Sequence, residues 1–199
     1  MWHYLGRGSG ITMGDAVTYL IIDGENIDST LGQQILEHRP NPEERPRWER
    51  LRQFAEEQWA QPVTALFFLN ASSGILPTPF IRALQSMGYR PVPLSGAPGQ
   101  KVVDIGIQRT LDAIGRRSGD VLLASHDGDF LPHISPLLAD DDRRVGVVGF
   151  PEFFNAGFAN LVESGLMLFD LEFDADCFTS VLPRVRIIPV DSFDPESFL

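Results

Sequence analysis

The sequence contains little cysteine, little lysine and no long apolar run. Its 199 residues include one cysteine, Cys177, which excludes an internal disulfide and a zinc site built from several thiolates. No stretch reaches the roughly 18 consecutive apolar residues that a membrane-spanning helix needs, and the N-terminus lacks the apolar centre of a signal peptide. These absences predict a soluble protein of a reducing compartment, which we take to be the cytoplasm.

Positive charge is also scarce. The chain has 16 basic and 27 acidic residues, a formal net charge of −11, and Lys101 is its single lysine. A chain this acidic has no broad basic surface that would attract a polyanion. Contact with nucleic acid therefore requires local basic residues, or a bound cation that reverses the sign of the field at one place.

Apolar strands alternate with amphipathic helices along the chain. Strands are predicted at 17–22, 63–69, 89–94, 120–125, 144–150 and 166–173, and helices at 47–60, 77–87 and 101–117. Continuously apolar strands are typical of a parallel sheet that is covered on both faces. We therefore expect a single α/β domain with a mainly parallel central sheet flanked by helices. The two prolines in 89–94 predict an edge position for that strand.

The ends of the chain differ from this pattern. We expect a flexible leader over 1–16, the domain over 17–180, and a C-terminal tail over 181–199 that carries Phe193 and Phe198 among acidic residues. The tail either packs on the domain or docks to a partner, which could be a second copy of the chain or another protein. The sequence leaves both alternatives open.

Acidic residues follow the strands at one predicted edge of the sheet. Asp23 ends the first strand, Asp127 and Asp129 follow the strand at 120–125, and Asp104 lies in the first turn of the helix at 101–117. The carboxyl ends of parallel strands face one edge, where ligands bind. Carboxylates gathered there repel by roughly 4 kcal/mol per close pair at an effective dielectric near 20, so they either raise their pKa values or bind a cation. Oxygen ligands alone favour Mg²⁺ or Mn²⁺.

A plainer interpretation exists for each of these residues. Aspartates are common in turns, so the Asp-Gly-Asp segment alone favours a turn, and Asp104 alone is typical of the positive end of a helix. The coincidence of all four at one edge favours the cation site. Gly128 is expected to let the chain bend so that the carboxylates of Asp127 and Asp129 converge.

Three segments, "YLIIDGENID", "KVVDIGIQRTLDAI" and "LLASHDGDFLPHI", begin at positions 19, 101 and 122. In this order and spacing they resemble the NYN domain, a branch of the PIN-like nuclease fold that includes the LabA-like proteins. The similarity extends over about residues 17–173. The matching positions are Asp23 and Asn26 for the first motif, Lys101 and Asp104 for the second, and Ser125, Asp127, Asp129 and Phe130 for the third.

The resemblance implies a metal-dependent ribonuclease that hydrolyses RNA phosphodiester bonds with Mg²⁺ or Mn²⁺. The implied catalytic and metal-binding carboxylates are those of Asp23, Asp104, Asp127 and Asp129. Four further positions are expected to support them or to bind substrate. Asn26 orients Asp23, binds phosphate or caps a loop, and Lys101 pairs with the scissile phosphate or balances the charge of Asp104. Ser125 forms a hydrogen bond to a carboxylate or to a metal-bound water, or it caps the strand. His126 lines a phosphate path or sits in a turn, and we favour the turn.

Two departures separate the chain from many relatives. His126 replaces a glycine of the third motif, and Thr110 stands where relatives carry a further aspartate. Asp112 lies two residues on, and we expect it to be solvated rather than a replacement ligand. These differences motivate an alternative function, a catalytically weak regulatory module that binds nucleic acid or protein. Phosphatase chemistry with an aspartyl nucleophile is disfavoured, because Glu25 stands where such enzymes carry a second aspartate.

Overall fold

The computed structural model describes residues 16–185, 188 and 190–199. The predicted leader therefore lies outside the described residues except for Ala16. Of the predicted tail, Leu182 is 7% exposed, and the side chain of Arg184 is 2% exposed. Both residues pack on the domain. In the described part of the chain, no helix is both long and apolar enough to cross a membrane.

Six strands form one sheet in which every neighbouring pair is parallel, in the order β3-β2-β1-β4-β5-β6. The prediction of a parallel α/β sheet is confirmed, and β3, the strand with two prolines, lies at an edge as expected. The strands are Thr18–Asp23 (β1), Val63–Asn70 (β2), Tyr89–Leu94 (β3), Asp120–Ala124 (β4), Val145–Gly149 (β5) and Met167–Asp170 (β6).

Helices cover both faces of this sheet. The two faces carry separate apolar cores: Leu20 and Ile22 of β1 contribute to one and Ile21 to the other, as the alternation of side chains along a strand requires. The α-helices are Gly24–Thr30 (α1), Trp48–Trp59 (α2), Thr78–Ser86 (α3), Val102–Ile114 (α4), Leu131–Ile134 (α5) and Ala156–Leu161 (α6).

Two parts of the chain differ from the sequence-based expectation. Helix α1 and the π-helix that continues it, Leu31–Leu36, were not predicted, although Ile27, Leu31 and Ile35 recur every four residues and are buried. Strand β6 is shorter than the predicted 166–173. The Asp170 side chain accepts hydrogen bonds from the two backbone N–H groups of Glu172 and Phe173, which turns the chain out of the sheet.

The strand order reverses at β1. Strands β2 and β3 lie on one side of it, and β4, β5 and β6 lie on the other. The loops that follow β1 and β4 therefore leave the sheet in opposite directions and open a crevice at its carboxyl edge, the usual ligand site of open α/β sheets. The chain then passes from β3 to β4 through α4, which carries Asp104 in its first turn.

Candidate functional site

Asp23 ends β1 and is buried, with 3% of its surface exposed. Its carboxylate oxygens accept hydrogen bonds from the Asn26 backbone N–H (3.2 Å) and from the Ser125 hydroxyl (3.0 Å). Burial raises the pKa of Asp23 to about 7 although both hydrogen bonds lower it, and the negative charges of Asp104 and Asp127 raise it further. Near neutral pH this side chain is therefore divided between its acid and carboxylate forms.

Asp104, Asp127 and Asp129 form a more accessible group, which we call the acidic cluster. One carboxylate oxygen from each lies within 4.8 Å of the other two. Asp104 comes from α4, whereas Asp127 and Asp129 come from the loop after β4, where a 3₁₀ turn spans Gly128–Phe130. The structure thus brings three of the four predicted carboxylates into one cluster. Asp23 is not within that distance of all three, and it is a buried neighbour whose charge interacts with two of them.

Ser125 connects the buried aspartate to the acidic cluster. Its hydroxyl donates to Asp23 and accepts a hydrogen bond from the Asp127 backbone N–H (3.2 Å). The Asp127 carboxylate in turn accepts from the Asp129 backbone N–H (2.9 Å). This chain of bonds fixes the loop after β4 against the end of β1.

Lys101 lies directly before α4 and bridges the acidic cluster. Its Nζ is 3.0 Å from a carboxylate oxygen of Asp129 and 3.3 Å from one of Asp104, and 68% of the side chain is exposed. The hydrogen bonds to Asp129 and Asp104 raise the pKa of Lys101. The single lysine of the chain therefore supplies an exposed positive charge to three converging carboxylates.

His126 lies in the loop between β4 and the 3₁₀ turn, and its ring is buried in the domain rather than lining a phosphate path. The Phe150 backbone N–H donates to Nε2 (2.8 Å), and Nδ1 lies 2.9 Å from the side-chain oxygen of Asn26 and 3.2 Å from the Thr30 hydroxyl. Since Nε2 accepts, we assign the proton to Nδ1. Burial, with a smaller effect from the charge of Arg184, lowers the pKa of His126 to about 4. The neutral ring positions the acidic loop.

Asn26 and Gly128 support the site through close packing. The Asn26 side-chain oxygen accepts from the His126 backbone N–H (2.8 Å), so this side chain holds the loop. Gly128 does not adopt a positive φ, and a Cβ placed there would lie 2.4 Å from the Asn155 side chain. The chain turns at this glycine and the carboxylates of Asp127 and Asp129 converge, but without a left-handed backbone; the close approach of Asn155 explains why the residue is a glycine.

Thr110 and Asp112 are both in α4, and both lie outside the acidic cluster. The Thr110 hydroxyl donates to the Gly106 carbonyl one turn earlier (2.8 Å) and is used within the helix. Asp112 is half exposed and pairs with His133 (2.7 Å). It is not a replacement ligand, as expected from its spacing.

Glu25, which the sequence did not place among the candidate site residues, lies where three depressions of the surface meet. One groove of about 380 Å³ is lined by Glu25, Lys101 and Asp104. A smaller pocket of about 180 Å³ begins at Gly24 and Glu25, and a wider cleft of about 740 Å³ extends from Glu25 along the π-helix. Its position, two residues after Asp23 at the end of β1, was the sequence signal that would have placed Glu25 at this edge of the sheet.

The fold and the site define a class of protein: a parallel α/β domain that gathers carboxylates at the switch point of its sheet. The model of the NYN domain family matches residues 17–163, and the chain belongs to this family, whose fold is PIN-like. NYN domains are generally nucleases, so membership implies a nuclease-like function related to RNA, and such nucleases typically use divalent metals.

A solved structure supports the fold. The chain is similar to a protein of unknown function from Vibrio parahaemolyticus RIMD 2210633, with a TM-score of 0.61 and 19% sequence identity over 80% of this chain and 94% of that one. No curated protein matches the chain.

Proposed function

We propose that the protein is an endoribonuclease that hydrolyses RNA phosphodiester bonds with Mg²⁺ or Mn²⁺ held by carboxylates. The observation that carries this proposal is the convergence of the acidic cluster within 4.8 Å beside the buried carboxylate of Asp23. In a chain with a net charge of −11, such a cation would reverse the sign of the field where a polyanion binds.

The residues present fit a hard divalent cation. Asp104, Asp127 and Asp129 offer only carboxylate oxygens, which suit Mg²⁺ and Mn²⁺ and disfavour the metals that prefer sulfur or imidazole. The Lys101 ammonium indicates that the cluster requires compensation by positive charge. Asp23 supplies a fourth carboxylate, and a cation nearby would favour its ionised form.

When bound, the metal supplies an activated water and neutralises charge on the phosphate. The other tasks belong to side chains of this domain. Ser125 holds Asp23 and the Asp127 backbone in place, and His126 fixes the loop that carries Asp127 and Asp129. The ammonium of Lys101 is mostly exposed. When substrate is bound, it donates a hydrogen bond to a phosphate oxygen in place of one of its present carboxylate partners.

The test is cleavage of single-stranded and structured RNA by the purified chain with Mg²⁺, with Mn²⁺ and with a chelator. Asp127→Asn is expected to reduce cleavage by more than the roughly 10–100-fold that loss of an outer-shell partner costs. Asp112→Asn is the matched control, because this aspartate lies on the same helix as Asp104 but outside the acidic cluster, where it pairs with His133. Cleavage that persists in the chelator, or that Asp127→Asn leaves intact, would refute the proposal.

The regulatory module is the second candidate, and the observation that favours it is the use of the Thr110 hydroxyl within α4, where relatives carry an additional carboxylate. RNA binding without metal-dependent turnover would support it over the nuclease. We propose a cytoplasmic location with either function. An oligomer or a protein partner contacting the C-terminal tail also remains a proposal, which size measurements of the full chain and of a chain ending at Pro189 would test.

A further inference from the structure

The small pocket beside Glu25 has an aromatic wall. Trp48 and Phe80 each meet Phe67 edge to face, with ring centroids 5.1 and 5.4 Å apart, and Leu69 completes the apolar surface. Phe80 is half-buried, whereas Phe67 is almost fully buried. The volume of about 180 Å³ is below the roughly 300–1,000 Å³ of pockets for drug-sized ligands, and it is on the scale of one flat heterocycle.

The rim of this pocket is polar and mainly acidic. Glu25 and Asp28 both line it, and the Asp28 carboxylate forms an ion pair with Arg45 at 3.1 Å. A carboxylate can accept about four hydrogen bonds, so this ion pair leaves Asp28 able to accept from a ligand as well. An acidic rim disfavours fatty acids and phosphate groups, and it favours a neutral ring that presents N–H donors.

The pocket adjoins the groove of the acidic cluster. Glu25 lines both depressions, and the groove continues to Lys101 and Asp104. Gly24 is packed so closely that a Cβ there would lie 2.5 Å from the Phe67 ring, which brings the chain after Asp23 directly onto the aromatic wall. A strand of nucleic acid with a phosphate at the acidic cluster can therefore place a neighbouring base at this wall.

We infer that this pocket binds the base of a nucleotide flanking the cleaved bond, with a preference for guanine; the inference rests on the proposed nuclease function. Single-stranded RNA is recognised by stacking of bases on aromatic side chains and by hydrogen bonds to their edges. Guanine presents two adjacent N–H donors on its pairing edge, which one carboxylate accepts together. Uracil presents a single N–H between two carbonyl oxygens, which the acidic rim repels.

The first experiment measures binding without cleavage, by calorimetry of the full chain with GMP, UMP and ribose 5-phosphate in the presence of Mg²⁺. Ribose 5-phosphate carries the sugar and phosphate but no base. We expect GMP to bind about tenfold more tightly than ribose 5-phosphate, and UMP to fall between them. Equal affinities for GMP and ribose 5-phosphate would overturn the inference.

Variants locate the base. Phe80→Ala is expected to abolish most of the advantage of GMP over ribose 5-phosphate, and Phe80→Leu, which keeps an apolar side chain, is expected to lower it partly. Phe54→Ala is the matched control, because this half-buried phenylalanine packs against Phe169 away from the pocket. Asp28→Asn should weaken GMP more than UMP. An equal loss in the Phe54 and Phe80 variants would contradict the assignment.

Cleavage separates this inference from the proposed function. If the wild-type chain cuts RNAs of different base composition at equal rates, and Phe80→Ala cuts them as fast as the wild type, the base pocket is overturned and the nuclease function stands. If nucleotide binding depends on the base and on Phe80, but the protein cuts no RNA, the pocket is supported and the nuclease function is overturned.

Discussion

Lys101 and Arg184 each neutralise several carboxylates at the same edge of the sheet, but in different surroundings. Lys101 is mostly exposed and contacts Asp104 and Asp129. Arg184 is 2% exposed and lies between the rings of Phe150 and Phe173, each 5.2 Å from its guanidinium carbon. The carboxylates of this second group, which we call the arginine cluster, belong to Glu152, Asp170 and Glu172.

The difference in burial assigns different roles to the two clusters. In the arginine cluster one guanidinium forms ion pairs with three carboxylates, and Glu172 also accepts from the Leu182 backbone N–H (2.7 Å). A buried charge network of this kind resists exchange, because removal of one member leaves the others unpaired out of water. The acidic cluster is accessible to water, and its ion-pair partner is the exposed ammonium of Lys101. A divalent metal can therefore replace the Lys101 ammonium as the counter-charge of these carboxylates, and a metal site requires this.

The largest expected effect is on the arginine cluster. Arg184→Ala should lower the free energy of unfolding by about 3–5 kcal/mol, because three carboxylates then lose their counter-charge in a buried place. Urea denaturation followed by circular dichroism measures it. Arg82→Ala, on the exposed side of α3, should change stability by no more than about 0.5 kcal/mol. A loss below about 1 kcal/mol for Arg184→Ala would contradict the structural role.

Ser125→Ala should act on the acidic site instead. Because Ser125 holds both Asp23 and the Asp127 backbone, we expect Mn²⁺ affinity or RNA cleavage to fall by roughly 10–100-fold. Calorimetric titration with Mn²⁺ and a cleavage assay measure the two quantities. Ser86→Ala, which removes a serine hydroxyl bonded to the Ala83 carbonyl near the end of α3, is expected to leave both unchanged.

Asp23→Asn should stabilise the metal-free protein. The folded-state pKa of Asp23, about 7, lies above the ordinary value of 3.8 for an aspartate, so between these values the folded state binds more protons and stability falls as pH rises. At pH 8 we expect the variant to gain about 1–3 kcal/mol, and at pH 4 almost nothing. Denaturation at both pH values in a chelator tests this.

Asp120→Asn provides the opposite control for Asp23→Asn. Asp120 is also buried, but its carboxylate pairs with Arg144 (2.7 Å) and accepts from Gln61 (2.7 Å). Its loss should destabilise the domain by about 1–3 kcal/mol. A stabilised Asp120 variant, or a destabilised Asp23 variant at pH 8, would contradict the view that the charged partner of Asp120 is what distinguishes the two buried aspartates.

Lys101→Met should give the smallest effect. Without the ammonium, Mn²⁺ no longer competes for Asp104 and Asp129, and its affinity should rise about two- to fivefold, the range expected for exposed ion pairs. Arg109→Met removes the same charge from the exposed side of α4 and should leave Mn²⁺ affinity nearly unchanged. Weaker Mn²⁺ binding in Lys101→Met would contradict the replaceable role of the ammonium.

The sequence predicted the sheet well, because each strand carries its own local signal of consecutive apolar residues. It also placed the four aspartates at one edge, since parallel strands end together. The arginine cluster could not be predicted, because Arg184 meets partners that are 12 to 32 residues away and lie on separate turns. The ring contacts of His126 could not be predicted for the same reason, because they join it to Asn26 and Thr30 of α1 and to Phe150 after β5.

The Phe150 amide hydrogen is donated to the His126 ring rather than to a neighbouring strand, so its exchange with solvent deuterium depends on the acidic loop. A buried, bonded amide exchanges only when the structure around it opens. Phe150 directly follows β5, which places this reporter between a stable strand and the loop of Asp127 and Asp129. Its exchange rate measures how often that loop opens in solution, with no substrate and no assay of activity.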